Sequence, residues 1–400
     1  MLPRTLLQAI GLAAAAVALP ARADELLVSG FLNGAVLRHD GATGDFIAPL
    51  GPAYAPTGLT RGPDGHLYVA SGAHEVLRFD GATGAPLGVF ASDETGLLDH
   101  PTGVAFAADG SLCVGSYVGD RVVRFDGTTG ALIGTFVESG SGGLRFPESG
   151  MTFGPDGNLY VPSGGTDSVL RYDGSTGAFL DAFVPPRTGG LAGARAIAFD
   201  PTGTFAFVVS HHNGLVLRFD AASGAFLGSL FRADRPVAPT SLAFTGDGDL
   251  LVTSTLEDAV RRYDGTTGAY LGYFIAPGEG GLYFPWSILL VPEPRLPVEP
   301  PDAARAGEPI AIRARGAGPG ERVAFAFSRS PGTARARACG PLELDLASPR
   351  LAGVARADAS GVADLTRFVP ARFAGVSVLV QALAPDTCRK SDALLLEFPR

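Results

Sequence analysis

The chain alternates short stretches of β-branched and aromatic residues with turns built on glycine, proline and aspartate. Residues 56–90 are representative, with the stretches TGLTRG, HLYVAS, EVLRF and APLGVF separated by two turns and a short loop. Such residues favour strands, and the Asp-Gly pairs between them supply the positive φ that tight hairpins need. The pattern predicts four short antiparallel strands in this segment and no helix.

The same segment recurs along the chain. Six copies resemble VLRFDGATGAPLGVF, and each carries an aspartate at the same place: Asp40, Asp80, Asp126, Asp173, Asp220 and Asp264. Their spacing of 40 to 47 residues suits a four-stranded propeller blade better than a helical repeat. The repeats predict an all-β fold whose main part, residues 24–291, is a six-bladed β-propeller.

The two ends of the repeat region complement each other. LLVSG, from Leu26, begins a copy that has only its last three strands, and PWSILLV, from Pro285, supplies the missing first strand. Pairing these two segments in one blade would close the ring and remove exposed sheet edges.

The elements P-x-x-[IL]-x-[FV], D-G-x-[LV]-[YCL]-V and V-[LV]-R-[FY]-D resemble those of the NHL-type propeller superfamily over residues 26–291. That superfamily borders the streptogramin B lyases, the peptidyl-hydroxyglycine amidating lyases and the gluconolactonase-like enzymes, and it includes many non-catalytic binding domains. The resemblance therefore implies a fold and leaves the function open.

The segments outside the repeats have other compositions. Residues 1–23 combine Arg4, an apolar run and the sequence Ala-Arg-Ala, which predicts a signal peptide and export to the periplasm or the extracellular space. An uncleaved anchor is the alternative. Residues 292–308 form a Pro-rich linker, and alternating stretches in residues 309–400 predict a small β-sandwich. This tail resembles a C-terminal module of secreted bacterial proteins.

Three cysteines occur. Cys339 and Cys388 are predicted to form a disulfide, which an oxidising compartment would permit. Cys113 holds the strand position of Tyr68 and Tyr160 in other copies and is predicted to be a packed, inert thiol.

A net charge of −9 argues against nucleic acid or an anionic membrane as partner. No stretch after the first 23 residues is long and apolar enough for a membrane span, and we expect a monomer.

Positions that differ between the copies are the candidates for function. The innermost strands begin near Thr57, Thr102 and Thr240, but Glu148, Arg195 and Trp286 stand at the corresponding place in the other copies, and His211 and His212 lie in a neighbouring loop. These residues are the predicted ligand-binding set. The recurrent arginines two residues before the repeat aspartates are predicted to form an Arg-Asp ladder between blades.

We expect a non-enzymatic protein that binds a protein, peptide or glycan through this variable face, without a cofactor or metal. The alternative is a metal-assisted lyase or lactonase, streptogramin-lyase-like or gluconolactonase-like, for which Glu148, His211 and His212 are the catalytic candidates. His39, His66, His74 and His100 are scattered singly among turns and loops.

Overall fold

The computed structural model describes residues 24–81, 83–93, 95–230, 236–291, 298–299, 307–317, 319–335, 343–346, 348–385, 389–391 and 394–398. The predicted signal peptide, most of the predicted linker and both Cys339 and Cys388 lie outside these ranges. The chain divides into two compact units, of which the first is Asp24–Val291 and the second contains the described residues from 298 onward.

The described part of the first unit contains six four-stranded antiparallel sheets. Sheet 1 consists of β24 (Pro285–Val291), β1 (Glu25–Gly30), β2 (Ala35–Asp40) and β3 (Phe46–Pro52), so that strands from the two ends of the unit pair directly. Sheet 2 consists of β4 (Pro56–Arg61), β5 (Leu67–Ser71), β6 (Glu75–Phe79) and β7 (Pro86–Ser92), and sheet 3 of β8 (Pro101–Phe106), β9 (Leu112–Ser116), β10 (Arg121–Phe125) and β11 (Leu132–Val137). Sheet 4 consists of β12 (Thr152–Phe153), β13 (Leu159–Ser163), β14 (Ser168–Tyr172) and β15 (Phe179–Val184). Sheet 5 consists of β16 (Ala194–Phe199), β17 (Phe205–Ser210), β18 (Leu215–Asp220) and β19 (Phe226–Ser229), and sheet 6 of β20 (Leu242–Phe244), β21 (Leu250–Ser254), β22 (Ala259–Tyr263) and β23 (Tyr270–Ile275).

Each sheet packs its face on the next one. A separate apolar cluster lies between sheets 1 and 2, another between 2 and 3, and so on, and one cluster joins sheet 6 to sheet 1. The first strands of neighbouring sheets contact one another, which places them innermost. Antiparallel four-stranded sheets packed in this manner make a β-propeller, so the sequence prediction of an all-β propeller fold is confirmed.

Two buried tyrosines illustrate the packing between sheets. The ring of Tyr68 lies edge-on between Phe90 and Phe106, with centroid distances of 4.8 and 4.9 Å, and Tyr160 has the same surroundings in sheet 4. Cys113 occupies the equivalent place in sheet 3, where it is fully buried and burial raises the pKa of its thiol to about 12. The prediction of a packed thiol is confirmed, and its raised pKa agrees with the expectation that it is unreactive.

The repeat aspartates form Asx turns. The Asp126 carboxylate accepts hydrogen bonds from the backbone N–H and the hydroxyl of Thr129, at 2.7 and 2.8 Å, and these bonds hold its pKa below the usual value. The predicted Arg-Asp ladder between blades is wrong. Arg124 pairs with Asp109 and Arg171 with Asp181, both within one sheet, because side chains on adjacent strands lie closer than side chains on the next sheet.

The second unit is also built from strands, with no α-helix among its described residues. They are β25 (Val298–Glu299), β26 (Pro309–Ala314), β27 (Arg322–Ser328), β28 (Pro331–Arg335), β29 (Glu343–Leu346), β30 (Arg350–Arg356), β31 (Ala363–Phe368), β32 (Ser377–Ala384), β33 (Arg389–Lys390) and β34 (Leu394–Glu397). Strands β25, β26 and β31 form one sheet, strands β27, β30, β32, β33 and β34 form a second, and β28 pairs with β29. A shared core contains Ile310 and Ile312 of the first sheet and Phe325 and Val380 of the second.

The helical segments are single 3₁₀ turns at Ser141–Gly143, Thr188–Gly190, Thr255–Glu257, Glu279–Gly281 and Ala371–Phe373. Within the described ranges, none is long and apolar enough to cross a membrane.

Candidate functional site

Two sets of loops meet on one side of the propeller, and we call this side the loop face. One set leads from each outer strand to the next inner strand, and the other joins the second and third strands of each sheet. The two sets are hydrogen-bonded to each other, for example from the backbone N–H of Gly140 to the carbonyl of Asp120 and from Gly278 to Asp258, both at 2.9 Å. The variable residues of the sequence repeats lie at this face.

The three predicted threonines are buried and connect neighbouring sheets. Each hydroxyl donates to a proline carbonyl of the next sheet: Thr57 to Pro101, the first residue of β8, at 2.9 Å, Thr102 to Pro147, five residues before β12, at 2.7 Å, and Thr240 to Pro285, the first residue of β24, at 3.0 Å. Their hydroxyl hydrogens are therefore engaged in holding the ring together.

Glu148 and Arg195 replace this threonine contact between sheets 4 and 5. Arg195 Nη1 donates to Glu148 Oε1 at 2.5 Å, and the carboxylate is 1 % exposed. The inner strands also bond directly here, since the Gly150 N–H donates to the Arg195 carbonyl at 3.2 Å. A side chain at Gly164 would overlap Glu148 Oε1, so this glycine leaves the room that the carboxylate occupies.

This pair is incompletely satisfied. Glu148 Oε2 and Arg195 Nε are buried without a hydrogen-bond partner among the described residues. Burial raises the pKa of Glu148 to about 7, although the Arg195 guanidinium opposes the shift. Near neutral pH the folded protein therefore contains both the ionised and the protonated form of this carboxyl group.

An aromatic cluster continues from the pair across the face. The Arg195 guanidinium lies 5.3 Å from the ring centroid of Trp286, which contacts Phe31 at 5.1 Å and Phe284 at 6.0 Å. The indole N–H of Trp286 is buried without an acceptor in the described part of the chain. The cation and the rings thus form one half-buried surface that joins sheets 5 and 1.

Tyr117 extends this surface on the other side of the ion pair. Its ring stacks on the ring of Phe146, with a centroid distance of 4.8 Å, and the Arg145 guanidinium lies 5.5 Å from the centroid of the Phe146 ring. Burial, together with the Glu148 charge, raises the pKa of the Tyr117 phenol, while Arg195 lowers it. Tyr117 was not a candidate from the sequence, because it begins a loop rather than an inner strand.

Several of the surrounding loops carry exposed apolar side chains at their tips. The exposed side chains include Tyr54 at 72 % and Leu256 at 66 %, and further exposed members of the loop face are Leu32, Val118 and Tyr283. Exposed apolar side chains around a half-buried aromatic centre are typical of interaction surfaces.

The two histidines of the sequence prediction lie apart from the carboxylate. His211 donates from Nδ1 to the Pro239 carbonyl at 2.9 Å, and burial lowers its pKa, with the nearby Arg195 charge acting in the same direction. His212 is exposed, and its ring lies 5.4 Å from that of His211. Of the predicted set, the structure brings together Glu148, Arg195 and Trp286.

A different group of potential ligands converges on the same face. His74, Asp99 and His100 each offer one ligand atom, and these atoms lie within 4.8 Å of one another. Sequence reasoning treated both histidines as isolated, because they belong to different loops.

The opposite end of the ring has a cavity of about 650 Å³. Its lining comes from the inner strands of five sheets and from the turns that follow some of them, including Met151, Phe153, Ile197 and Leu290. The lining mixes apolar and polar groups and holds none of the candidate side chains.

No protein-family model matches the sequence, and no characterised protein matches it. Many solved structures resemble its fold, and two of them illustrate the similarity. A chain from a crystal structure of a nidogen/laminin complex superposes with a TM-score of 0.56 at 16 % identity, covering 67 % of this chain and 98 % of that one. A protein of unknown function from Bacteroides caccae gives a TM-score of 0.53 at 13 % identity, covering 67 % of this chain and 99 % of that one. Similarity at these identities supports the fold, a β-propeller, and the loop face defines the candidate binding site upon it.

Proposed function

We propose that this chain is an exported, non-enzymatic binding protein that recognises a protein ligand through the loop face of its propeller. The observation that carries the proposal is the partly exposed surface formed by the Trp286 ring and the Arg195 guanidinium, with the buried Glu148 carboxylate beneath them. The ring offers a ligand apolar contact, and the guanidinium offers it a positive charge.

A protein or peptide ligand fits this surface better than a glycan does. Sugars stack on aromatic rings, whereas the loop tips also present the aliphatic side chains of Leu32, Val118 and Leu256. Aliphatic and aromatic side chains together are typical of the contact with another polypeptide.

Two further features belong to the proposal. We infer that each four-stranded sheet is one blade of a six-bladed, NHL-like ring, which is supported by the separate apolar clusters between successive sheets and between the last and the first. We also infer that the second unit is a β-sandwich, supported by the core shared between its two larger sheets.

The alternative of a metal-assisted lyase or lactonase has less support at this position. The Glu148 carboxylate is already paired with Arg195, and a cation beside a carboxylate opposes the binding of a second cation. His211 has its Nδ1 engaged with a backbone carbonyl.

The proposal can be tested with a phage-displayed library of random dodecapeptides selected on the full chain. Peptides enriched on the wild type should lose at least about 2 kcal/mol of binding free energy on Trp286→Ala, about thirtyfold in Kd, because Trp286 lies at the centre of the surface. Arg195→Ala should weaken the same peptides. Leu227→Ala, which removes an exposed apolar side chain from the outer strand β19, is the matched control and should bind normally.

Thermal melting must show that each variant remains folded. If the enriched peptides bind the Trp286 and Arg195 variants as tightly as the wild type, the loop face is not the binding site. If only members of a glycan array bind, and binding depends on Trp286, the ligand class is wrong.

The predicted disulfide stays a prediction. Cys339 and Cys388 enclose 48 residues, and a bridge across a loop of that length would stabilise the second unit by about 4 kcal/mol. Mass spectrometry of the exported protein after alkylation, with and without reduction, would detect it.

A further inference from the structure

His74, Asp99 and His100 form a compact group on the rim of the loop face. His74 lies in the loop between β5 and β6, and the other two residues immediately precede β8. Asp99 Oδ1 lies 2.8 Å from His100 Nδ1 and 3.4 Å from His74 Nδ1, and the two imidazole rings are 4.8 Å apart. Two side chains from sheet 2 and sheet 3 loops therefore converge on one carboxylate.

The backbone around these residues is firmly held. The Asp99 N–H donates to Ser116 Oγ at 2.8 Å, and the His100 carbonyl accepts the Tyr117 N–H at 3.1 Å. His74 and His100 both have positive φ, 62° and 50°, as do Asp120 and Phe146 at the equivalent places in the next copy, so this backbone conformation belongs to the repeated loops. The loops thus hold the two imidazoles close to each other.

The equivalent loops of other sheets show what is unusual here. At the place of His74 they carry Asp120, Asp167 and Asp258, whose carboxylates accept a backbone N–H from the following loop at 2.7 to 2.8 Å. His74 Nδ1 receives the corresponding N–H of His100 at 3.4 Å, which is a long hydrogen bond. Loop structure alone does not explain why this copy has two histidines.

Two imidazoles and one carboxylate are a donor set that suits zinc. Tetrahedral coordination with bonds of about 2.0–2.1 Å places ligand atoms roughly 3.3 Å apart, and the two distances to Asp99 Oδ1, 2.8 and 3.4 Å, lie on either side of that value. The side chains of His74, Asp99 and His100 are 48, 39 and 61 % exposed. Solvent can therefore reach a bound ion and supply further ligands.

We propose that His74, Asp99 and His100 bind one Zn²⁺ ion, with the remaining coordination position open to water or to a donor group from a ligand. This site is independent of the proposed protein-binding function. It is also separate from Glu148, His211 and His212, which the sequence offered as catalytic candidates of a metal-assisted enzyme.

The test uses the full chain without an affinity tag, stripped of metal with EDTA and then dialysed. Isothermal titration with Zn²⁺ should give one ion per chain. His74→Ala and His100→Ala should each weaken binding at least about tenfold, since loss of a ligand costs no less than loss of a group that supports one. His66→Ala, which removes a histidine 3.8 Å from Asp80 on the opposite face, is the control and should bind normally.

Cobalt provides a second measurement that does not depend on the variants folding. Co²⁺ bound to the wild type should give the intense visible absorption of four-coordinate cobalt, whereas six-coordinate cobalt on a nonspecific surface absorbs weakly. Absence of Zn²⁺ uptake by the wild type would overturn the proposal. So would equal Zn²⁺ affinity in a folded double variant of His74 and His100, or a six-coordinate Co²⁺ spectrum.

Discussion

The contacts between neighbouring inner strands are made in two different ways. Between sheets 2 and 3, 3 and 4, and 6 and 1, a buried threonine hydroxyl donates to a carbonyl of the next sheet. Between sheets 4 and 5, Glu148 and Arg195 take this place and leave two buried polar atoms without partners in the described structure. The same repeat position thus carries a fully satisfied threonine in one part of the ring and an incompletely satisfied ion pair in another.

The difference shows that a departure from the repeat changes how two neighbouring sheets are joined. A threonine needs one acceptor and obtains it from the backbone, so its contribution is complete within the fold. Burying an ion pair costs more desolvation free energy than burying a threonine hydroxyl, and the pair returns less stability. Stability alone therefore does not explain such a pair.

The largest effect is expected from removing the cation of the pair. Arg195→Met leaves an ionised carboxylate buried without its partner at pH 8, and the free energy of unfolding should fall by about 4 kcal/mol. Urea denaturation at pH 8 measures this change in the free energy of unfolding. Arg218→Met, which removes an arginine stacked on Phe205, is the control and should cost less than about 1 kcal/mol. Equal costs for the two variants would contradict the distinction between the two kinds of contact.

A similar effect should appear as a pH dependence. Burial raises the pKa of Glu148 from 4.5 to about 7, so between these values the folded state binds more protons than the unfolded state. Stability should therefore fall as pH rises through this window, by about 3 kcal/mol from this group. Glu148→Gln cannot ionise and should lack the fall. If the difference in unfolding free energy between the wild type and Glu148→Gln stays constant from pH 4.5 to pH 7, the predicted pH dependence is refuted.

Gly150 tests the direct contact between the inner strands of sheets 4 and 5. A Cβ at this position would overlap the backbone and side chain of Ala196, so Gly150→Ala should lower the free energy of unfolding by about 2 kcal/mol. Gly246→Ala places its new methyl in open space and should be nearly neutral. Comparable melting temperatures for the two variants would be incompatible with this packing.

The smallest effect belongs to the threonine contacts. Thr102→Val removes the hydrogen bond to the Pro147 carbonyl and should cost about 1 kcal/mol. Thr102→Ser keeps the hydroxyl and should recover much of this loss. Binding of the enriched peptides should be unchanged in Thr102→Val, and a large loss of affinity without a loss of stability would instead make this threonine part of the ligand site.

Much of the fold was predictable from the sequence because the repeat is local. Strands, Asx turns and the packed Cys113 each depend on residues within one copy, and comparison of the copies reveals them. The arginine pairing was predicted wrongly, because the sequence alone does not distinguish a neighbouring strand from a neighbouring sheet.

The site was predictable only in part. Glu148, Arg195 and Trp286 stood out because all three stand at one repeated position. The propeller fold places the copies of that position close to one another. His74 and His100 did not stand out, since each comes from a different kind of loop. Aligning both loop types would have paired them, because His74 holds the place of Asp120 and His100 that of Phe146, and these two are in contact.

The pairing of β1 with β24 also affects how the chain reaches its fold. Ser29 and Ser287 are 258 residues apart and hydrogen-bonded to each other, so sheet 1 has very high contact order. Such long-range pairing forms slowly, because the entropy of closing the intervening loop must be lost first. During synthesis, which delivers the N-terminus first, β1 has an unpaired edge until Pro285–Val291 follows, and it is exposed to aggregation throughout that interval. Completion of the ring is thus the step at which this protein is most vulnerable.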